Sequence, residues 1–351
     1  MKAILIGNRE RFEKFYPHTA FADTVEKFYL SMEEVTQGIP AEARDAQFLA
    51  ADAIARVPAD LMALLPDLKI IHSEGVAYNG IDCAAAAERG IYVCNNRGVN
   101  ADAVAEQTIL LMLGLLRSVT AGDAAVRAGQ QIQRKEYMMV NGITELGECR
   151  IGLIGFGDIA KAVAKRLVPF GCEVFYNASH RKNEELEAEY GVKWMEREEM
   201  LKSCDIISIH VPVTPDTTGM VNETFLKTMR PNALLINTAR GEIVDNAALK
   251  KALMEGWIAG IGLDTVAPEP VAVDHPLLHL LPDEPDMVDN DNSRKATRAA
   301  THMDDVDKKI LFSPHIGGVT TGVFRKGHRN IWHAFEQVSK GERPANIVNG
   351  L

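Results

Sequence analysis

Short apolar runs alternate with stretches of helical spacing along nearly the whole chain. Ala3–Ile6, Leu68–His72 and Ile91–Cys94 have the length and apolar content of buried strands, while Thr24–Leu30 is irregular and reads as strand or loop. Ala59–Leu65, bounded by Pro66, and the alanine-rich Asp82–Glu88 read as helices. Gly75–Gly80 is a glycine-flanked loop after the Leu68–His72 strand. Asp102–Arg117 is apolar on too many sides for a surface helix, so it is either buried centrally or part of a dimer interface. Ala121–Glu148, with Gly129, Gly142 and Gly147, reads as an irregular segment. The alternation then becomes regular. Strands are predicted at Ile151–Ile154, Val174–Tyr176, Val192–Trp194, Asp205–His210, Ala233–Asn237 and Ala259–Leu263. Helices are predicted at Glu184–Tyr190, Arg197–Lys202, Glu223–Thr228 and Asp245–Glu255. Pro282–Lys309 is polar and lacks sustained periodicity, which predicts a surface insertion. Ile310–Ser313 resumes as a strand, and Thr321–Lys340 is a final helix before the tail. Repeated strand–helix units imply parallel sheets, and therefore an α/β protein with two Rossmann-like or flavodoxin-like domains.

Composition narrows the class without changing this picture. With 351 residues the chain is long enough for two cores, and its net charge of −10 argues against a nucleic-acid surface. No apolar run approaches the roughly 20 residues needed to span a bilayer. The N-terminus reads as a first strand and lacks a signal-peptide cleavage site, so a cytoplasmic protein is expected. Cys83, Cys94, Cys149, Cys172 and Cys204 are odd in number and scattered. They read as reduced, mostly buried thiols, and no metal site is expected.

The most informative stretch runs from Arg150 to Lys182. An apolar run ends in Gly155, a helical pattern follows, and a second apolar run closes the unit. This is the layout of a dinucleotide-binding βαβ motif. Gly155 allows a sharp turn off the strand. Gly157 lets a pyrophosphate approach the backbone and the helix N-terminus, where N–H groups and the helix dipole favour an anion. Ala160 is small enough for close packing of helix on strand.

Three charged residues stand in turns just after apolar strands: Arg240 after Ala233–Asn237, Glu269 after Ala259–Leu263, and His315 after Ile310–Ser313. Singly, each reads as a solvated turn charge or a scaffold histidine. In a parallel sheet all three fall on one edge, the same edge as the Gly155 turn. Arg240 can hold a carboxylate with a bidentate fork. His315 can exchange a proton with a carbonyl or hydroxyl oxygen. Glu269 can orient His315 and favour its protonated form. Carboxylate anchor, acid–base pair and nicotinamide together describe a 2-hydroxy acid dehydrogenase.

These residues belong to a wider pattern, and over nearly its whole length the chain resembles the D-isomer-specific 2-hydroxyacid dehydrogenases. The pattern includes Gly75–Asp82, Val104-Ala105-Glu106, the Gly155 turn, His210-Val211-Pro212 with Thr214–Thr217, Asn237–Asp245, Leu263–Pro270 and Ser313–Gly318. By this resemblance Arg240, Glu269 and His315 are the catalytic trio, and the backbone of Val76 and Ala77 joins Arg240 in binding the substrate carboxylate. The cofactor would meet Gly155, Phe156, Gly157, Asp158 and Ile159 at the pyrophosphate and Asn177, Ser179, His180 and Arg181 at the adenosine ribose. It would meet Val211, Pro212, Thr217, Thr238, Asp264, His315 and Gly317 around the ribose and nicotinamide. The resemblance also implies a substrate domain from residues 1–100 and 319–351, a nucleotide domain from 101–318, and an active-site cleft between them. A homodimer would form through about 101–148.

Four departures from the family pattern stand out. Ala77 replaces a usual glycine. Asn177 replaces the acid of NAD-specific members and precedes Ser179, His180, Arg181 and Lys182. This favours NADP(H) over NAD(H), although His180–Lys182 also reads as a solvated loop. The 282–309 insertion separates Glu269 from His315, and no appended regulatory domain is expected after the final helix. The expected reaction is NAD(P)-dependent reduction of a small 2-keto acid, such as glyoxylate or hydroxypyruvate, to the D-hydroxy acid. The alternatives are a phosphoglycerate-type dehydrogenase and a non-catalytic, NAD(H)-sensing, corepressor-like protein.

Overall fold

The computed structural model describes residues 1–278 and 310–351. The sequence-based insertion at 282–309 lies outside the described residues. The chain forms two compact units, Met1–Asn100 with Val319–Leu351, and Ala101–Gly318.

The smaller unit holds five parallel strands: β1 (Lys2–Ile6), β2 (Glu26–Leu30), β3 (Phe48–Ala51), β4 (Ile70–Ser73) and β5 (Tyr92–Cys94), in the order β2-β1-β3-β4-β5. Successive side chains of a strand face opposite ways. Ile4 and Ile6 therefore join one apolar layer with Leu49 and Ile71, while Ala3 and Leu5 join another with Phe48 and Ile70. Burial on both faces explains why these strands read as continuous apolar runs. The short helices α1 (Arg9–Lys14), α2 (Ala20–Thr24), α3 (Met32–Gln37), α4 (Ala59–Ala63) and α5 (Cys83–Glu88) connect the strands. The C-terminal helix, numbered α14 below (Thr321–Ser339), closes the second layer with Ile331, Trp332 and Phe335. Phe335 stacks on Phe48 with ring centroids 5.0 Å apart.

The larger unit opens with α6 (Ala101–Leu116), α7 (Val119–Arg127) and α8 (Gln131–Asn141). Its sheet contains β6 (Arg150–Ile154), β7 (Glu173–Asn177), β8 (Val192–Trp194), β9 (Ile206–Ile209), β10 (Leu234–Asn237), β11 (Gly260–Leu263) and β12 (Ile310–Phe312). Helices α9 (Asp158–Leu167), α10 (Glu184–Tyr190), α11 (Arg197–Ser203), α12 (Glu223–Thr228) and α13 (Asn246–Glu255) lie between strands in the chain. All seven strands are parallel, in the order β12-β11-β10-β9-β6-β7-β8. The chain runs outward from β6 through β7 and β8, then returns to β9 on the other side. The β6/β9 junction is thus a switch point, where open α/β sheets bind ligands.

Two expectations are settled here. The apolar Asp102–Arg117 stretch is the core helix α6, whose Ala105, Ile109, Leu111 and Met112 are buried with Ile151 and Leu153. Ala121–Glu148 is largely helical rather than irregular. Gly129 and Gly142 have φ of +73° and +77° just beyond α7 and at the C-cap of α8, so these glycines end helices instead of preventing them. Strand β3 escaped the sequence reading because four buried residues show no periodicity. Among the described residues no single helix is long and apolar enough to cross a membrane. All five cysteines are free thiols, and burial pushes Cys94 and Cys149 up to about 12.

Burial also sets an acid sensitivity. Desolvation holds the His72 imidazole down to about 4 and that of His210 down to about 3. In the unfolded chain both rings take up a proton near pH 6.5. Below that pH the unfolded state binds more protons than the folded one. The stability from these neutral rings is therefore complete above about pH 6.5 and is lost as pH falls toward the folded values. The melting temperature is expected to drop between pH 7.5 and 4.5, and to drop less in His72→Gln. An equal drop in that variant would remove His72 from the account.

Candidate active site

The turn after β6 is built from glycines with separate constraints. Gly155 has φ +93° and donates its N–H to the Asn177 carbonyl at 2.7 Å. A side-chain carbon there would collide with the His210 carbonyl. Gly157 is the N-cap of α9, and a side-chain carbon there would meet nothing within 4 Å. The first-turn N–H groups of an α-helix have no intrahelical acceptor, and Asp158 and Ile159 occupy that first turn. Ala160 is fully buried, so the helix packs tightly on the sheet. The Phe156 ring packs at a tilt of 30° against Tyr176, 4.4 Å between centroids, within the core, so its side chain belongs to the packing beneath the turn. A pyrophosphate fits this cradle: the turn requires glycine, the space above Gly157 is open, and the helix dipole favours an anion.

The segment after β7 is more constrained than its sequence suggested. Asn177 donates its side-chain amide to the Met195 carbonyl at 2.9 Å. Arg181 forks onto Glu187, 3.0 Å at each nitrogen, and Glu187 also accepts from the Tyr176 hydroxyl at 2.8 Å. Ser179 and His180 are exposed, with the hydroxyl 3.2 Å from the ring Nδ1.

Arg240, Glu269 and His315 follow three neighbouring strands, β10, β11 and β12. The Asn237 side chain shapes the Arg240 turn, donating to the Arg240 carbonyl at 2.8 Å and accepting from the Ala239 N–H at 3.0 Å. Gly241 lies so close to the Val266–Ala267 backbone that a side chain would not fit, which brings the Arg240 and Glu269 loops together. The Glu269 loop is held by Asn246, which donates to the Ala267 carbonyl at 2.7 Å. His275 accepts from the Leu277 N–H through Nδ1 at 3.3 Å, which puts its proton on Nε2, 3.1 Å from that same carbonyl.

His315 sits at φ +55°, a left-handed conformation uncommon outside glycine. Its loop is fixed by the buried Asp264 carboxylate, which accepts from Ile316 N–H (3.0 Å), Gly317 N–H (2.8 Å) and the Ser313 hydroxyl (2.5 Å). The His315 Nδ1 stands 2.8 and 2.9 Å from the two Glu269 oxygens. The pairing commits Nδ1–H to the carboxylate and leaves Nε2 for proton exchange. Both side chains reach solvent, 39% and 57% exposed. Arg240 is exposed and donates from Nη1 to the Ala239 carbonyl at 2.7 Å.

The remaining cofactor candidates occupy the same sheet edge. Thr238 is buried, its hydroxyl 3.0 Å from that of Thr108 on α6. Thr217 donates to the Pro212 carbonyl at 2.7 Å, tying down the loop that begins with half-buried Val211. In the smaller unit, Val76 and Ala77 are half-buried in the loop after β4. The four carbonyls from Glu74 to Ala77 are engaged. Glu74 O accepts from Asn96 Nδ2 (2.9 Å), Gly75 O from Asn96 N–H (2.9 Å), Val76 O from Asn95 Nδ2 (2.7 Å) and Ala77 O from Ser73 Oγ (2.5 Å). Asn95, Asn96, Asn246 and His275 are not among the site residues expected from the sequence. Adjacent asparagines directly after an apolar strand were the available signal for the first two.

A dinucleotide cradle at a switch point, with a paired histidine and an arginine on adjoining strand ends, defines a nicotinamide-dependent oxidoreductase. The family profile described as "D-isomer specific 2-hydroxyacid dehydrogenase, NAD binding domain" matches residues 109–283. The glyoxylate reductase of Thermococcus litoralis is 37% identical over 84% of this chain and 81% of its own length. That of Korarchaeum cryptofilum is 38% identical over 84% and 80%. The TT0316 protein of Thermus thermophilus shares the fold, with a TM-score of 0.76 and 27% identity over 99% of this chain and 100% of its own. The chain belongs to the D-isomer-specific 2-hydroxyacid dehydrogenase family. It is an oxidoreductase of small 2-keto and 2-hydroxy acids that uses a nicotinamide dinucleotide.

Gly157→Val tests the cradle without straining the backbone, since φ is −89° and the site is open. Its melting temperature should match the wild type, while the nucleotide dissociation constant rises at least about tenfold. Wild-type affinity in a fluorescence titration would move the nucleotide elsewhere.

Proposed function

We propose that the protein reduces glyoxylate and related short 2-keto acids, with Arg240, Glu269 and His315 as the catalytic residues. The observation that carries this reading is the His315–Glu269 pair, standing at the end of a strand beside the one that leads to Arg240. Arg240 holds the substrate carboxylate with its guanidinium fork and polarises the keto oxygen. The backbone N–H groups of Val76 and Ala77 bind the same carboxylate. A reduced nicotinamide, when bound, supplies the hydride to the keto carbon. As the C=O double bond becomes a single bond, the oxygen takes the proton from His315 Nε2. Glu269, paired with Nδ1, keeps the ring oriented for that transfer. Glyoxylate leads the substrate class because it is the substrate in the names of the relatives from Thermococcus litoralis and Korarchaeum cryptofilum.

The cofactor preference we propose is NADP(H). Asn177 puts no negative charge beside a ribose 2′-phosphate, and Ser179, His180 and Lys182 supply donors. Arg181 joins them only when a phosphate competes for it with Glu187. Steady-state reduction of glyoxylate, hydroxypyruvate and pyruvate, run with NADPH and again with NADH, tests both parts. The expected result is turnover with a higher kcat/KM for NADPH. His315→Gln should lower kcat by about 10²–10⁴-fold with little change in nucleotide affinity. Wild-type turnover in that variant would refute the mechanism, and a clear NADH preference would refute the cofactor assignment.

We also propose a homodimer formed through α7 and α8. These helices expose Val119, Val126, Ile132, Met139 and Val140, and Ile143 follows them; an apolar surface of this kind marks an interface. Sedimentation velocity at micromolar concentration should give a dimer, and Met139→Glu should shift it toward monomer. A wild-type monomer throughout would contradict the assignment.

A further inference from the structure

The smaller sheet carries polar side chains on its own carboxyl edge, and the reaction as described uses none of them. Arg11 lies beyond β1, Asp52 follows β3, Glu74 follows β4, and Asn95 and Asn96 follow β5. The Arg11 guanidinium forks onto Glu74, with Nε 2.7 Å from Oε1 and Nη2 bonded to Oε2, and Nη2 also reaches Asp52 at 2.5 Å. His328, from α14, places Nε2 2.9 Å from Glu74 Oε1. The Glu74 and His328 side chains are only 4% and 1% exposed. Phe12 and Phe15 flank the His328 ring, and Phe324 lies against Arg11. A carboxylate this deeply buried is stable only when paired, and here the pairing ties the end of β4 to two helices.

We propose that this network, together with Asn95 and Asn96, is a positioning device that aims the Val76 and Ala77 N–H groups at the substrate carboxylate. The inference rests on the proposed role of that loop. Its geometry follows from the planar trans peptide, in which the C=O of one residue and the N–H of the next point in opposite directions. Asn96 N–H draws the Gly75 carbonyl inward, so the Val76 N–H is turned outward. Asn95 Nδ2 draws the Val76 carbonyl inward, so the Ala77 N–H is turned outward as well. Among the described residues neither N–H has an acceptor in the fold. The two asparagines are anchored in turn. Both are buried, Asn96 Nδ2 binds the Glu74 carbonyl, and Asn330 of α14 donates to Asn96 Oδ1 at 3.1 Å. Gly327 allows this approach, since a side-chain carbon there would stand 3.1 Å from Asn96 Nδ2. Glu74, fixed by Arg11 and His328, holds the loop's first residue against both α1 and α14. Asn95, Asn96 and Glu74 thus act on substrate through the backbone they hold, as positioning residues.

The test separates substrate binding from turnover and from cofactor binding in full-length Asn95→Ala and Glu74→Gln. The KM for glyoxylate should rise about tenfold in each, with kcat within about threefold of wild type and an unchanged nucleotide dissociation constant. Should Glu74→Gln fail to fold, Asn95→Ala decides alone, since it removes one amide and no charge. An unchanged KM in Asn95→Ala, or parallel losses in kcat, KM and nucleotide affinity, overturns the inference and leaves 2-keto acid reduction standing. A wild-type protein that reduces no 2-keto acid overturns both.

Discussion

Strands that all run in one direction deliver all their carboxyl ends to one edge, and both sheets of this protein obey that constraint. In the larger sheet the glycine turn follows β6, the Asn177 segment follows β7, and Arg240, Glu269 and His315 follow β10, β11 and β12. Residues more than a hundred positions apart in sequence are thereby gathered on one edge. The hydrophobic interior fixes strand order, and strand order fixes which turns become neighbours. Side chains in turns are free to carry charge because the burial of the strands beneath them already supplies the stability.

A second layer of polar contacts makes that edge rigid enough for chemistry. Asn237 closes the Arg240 turn on itself, Asn246 and His275 grip the Ala267 carbonyl, and Asp264 collects three donors from the His315 loop. These groups are mostly buried and each is satisfied, so they stiffen the loops rather than add unpaired polarity to the interior. The Glu74 network does the same for the smaller sheet. Both units thus follow one design, in which apolar strands are held by layers on both faces and the loops beyond them are pinned by buried amides and carboxylates.

Much of this was legible in the sequence. The apolar runs located most strands, and Gly155 with Gly157 announced the nucleotide turn. Arg240, Glu269 and His315 were visible because each is a charged residue placed just past a strand. The missing parts share a physical cause. Strand β3 and helices α1 to α3 are too short for a period to emerge, and α7 and α8 were obscured by glycines that cap helices rather than break them. Asn95, Asn246 and His275 act on backbone carbonyls brought near by folding, and local sequence carries no record of that approach. The pinning of Arg181 by Glu187 is similar: six residues apart, the pair looks like an ordinary solvated loop and helix until the structure joins them.

The central claim is that Glu269 works only through His315. A double-mutant cycle on kcat/KM for glyoxylate reduction, using Glu269→Gln, His315→Gln and the two together, tests it directly. The account predicts that the double variant is no slower than His315→Gln alone, within about threefold, because a carboxylate with no imidazole to orient has nothing left to contribute. Losses that multiply independently would contradict it.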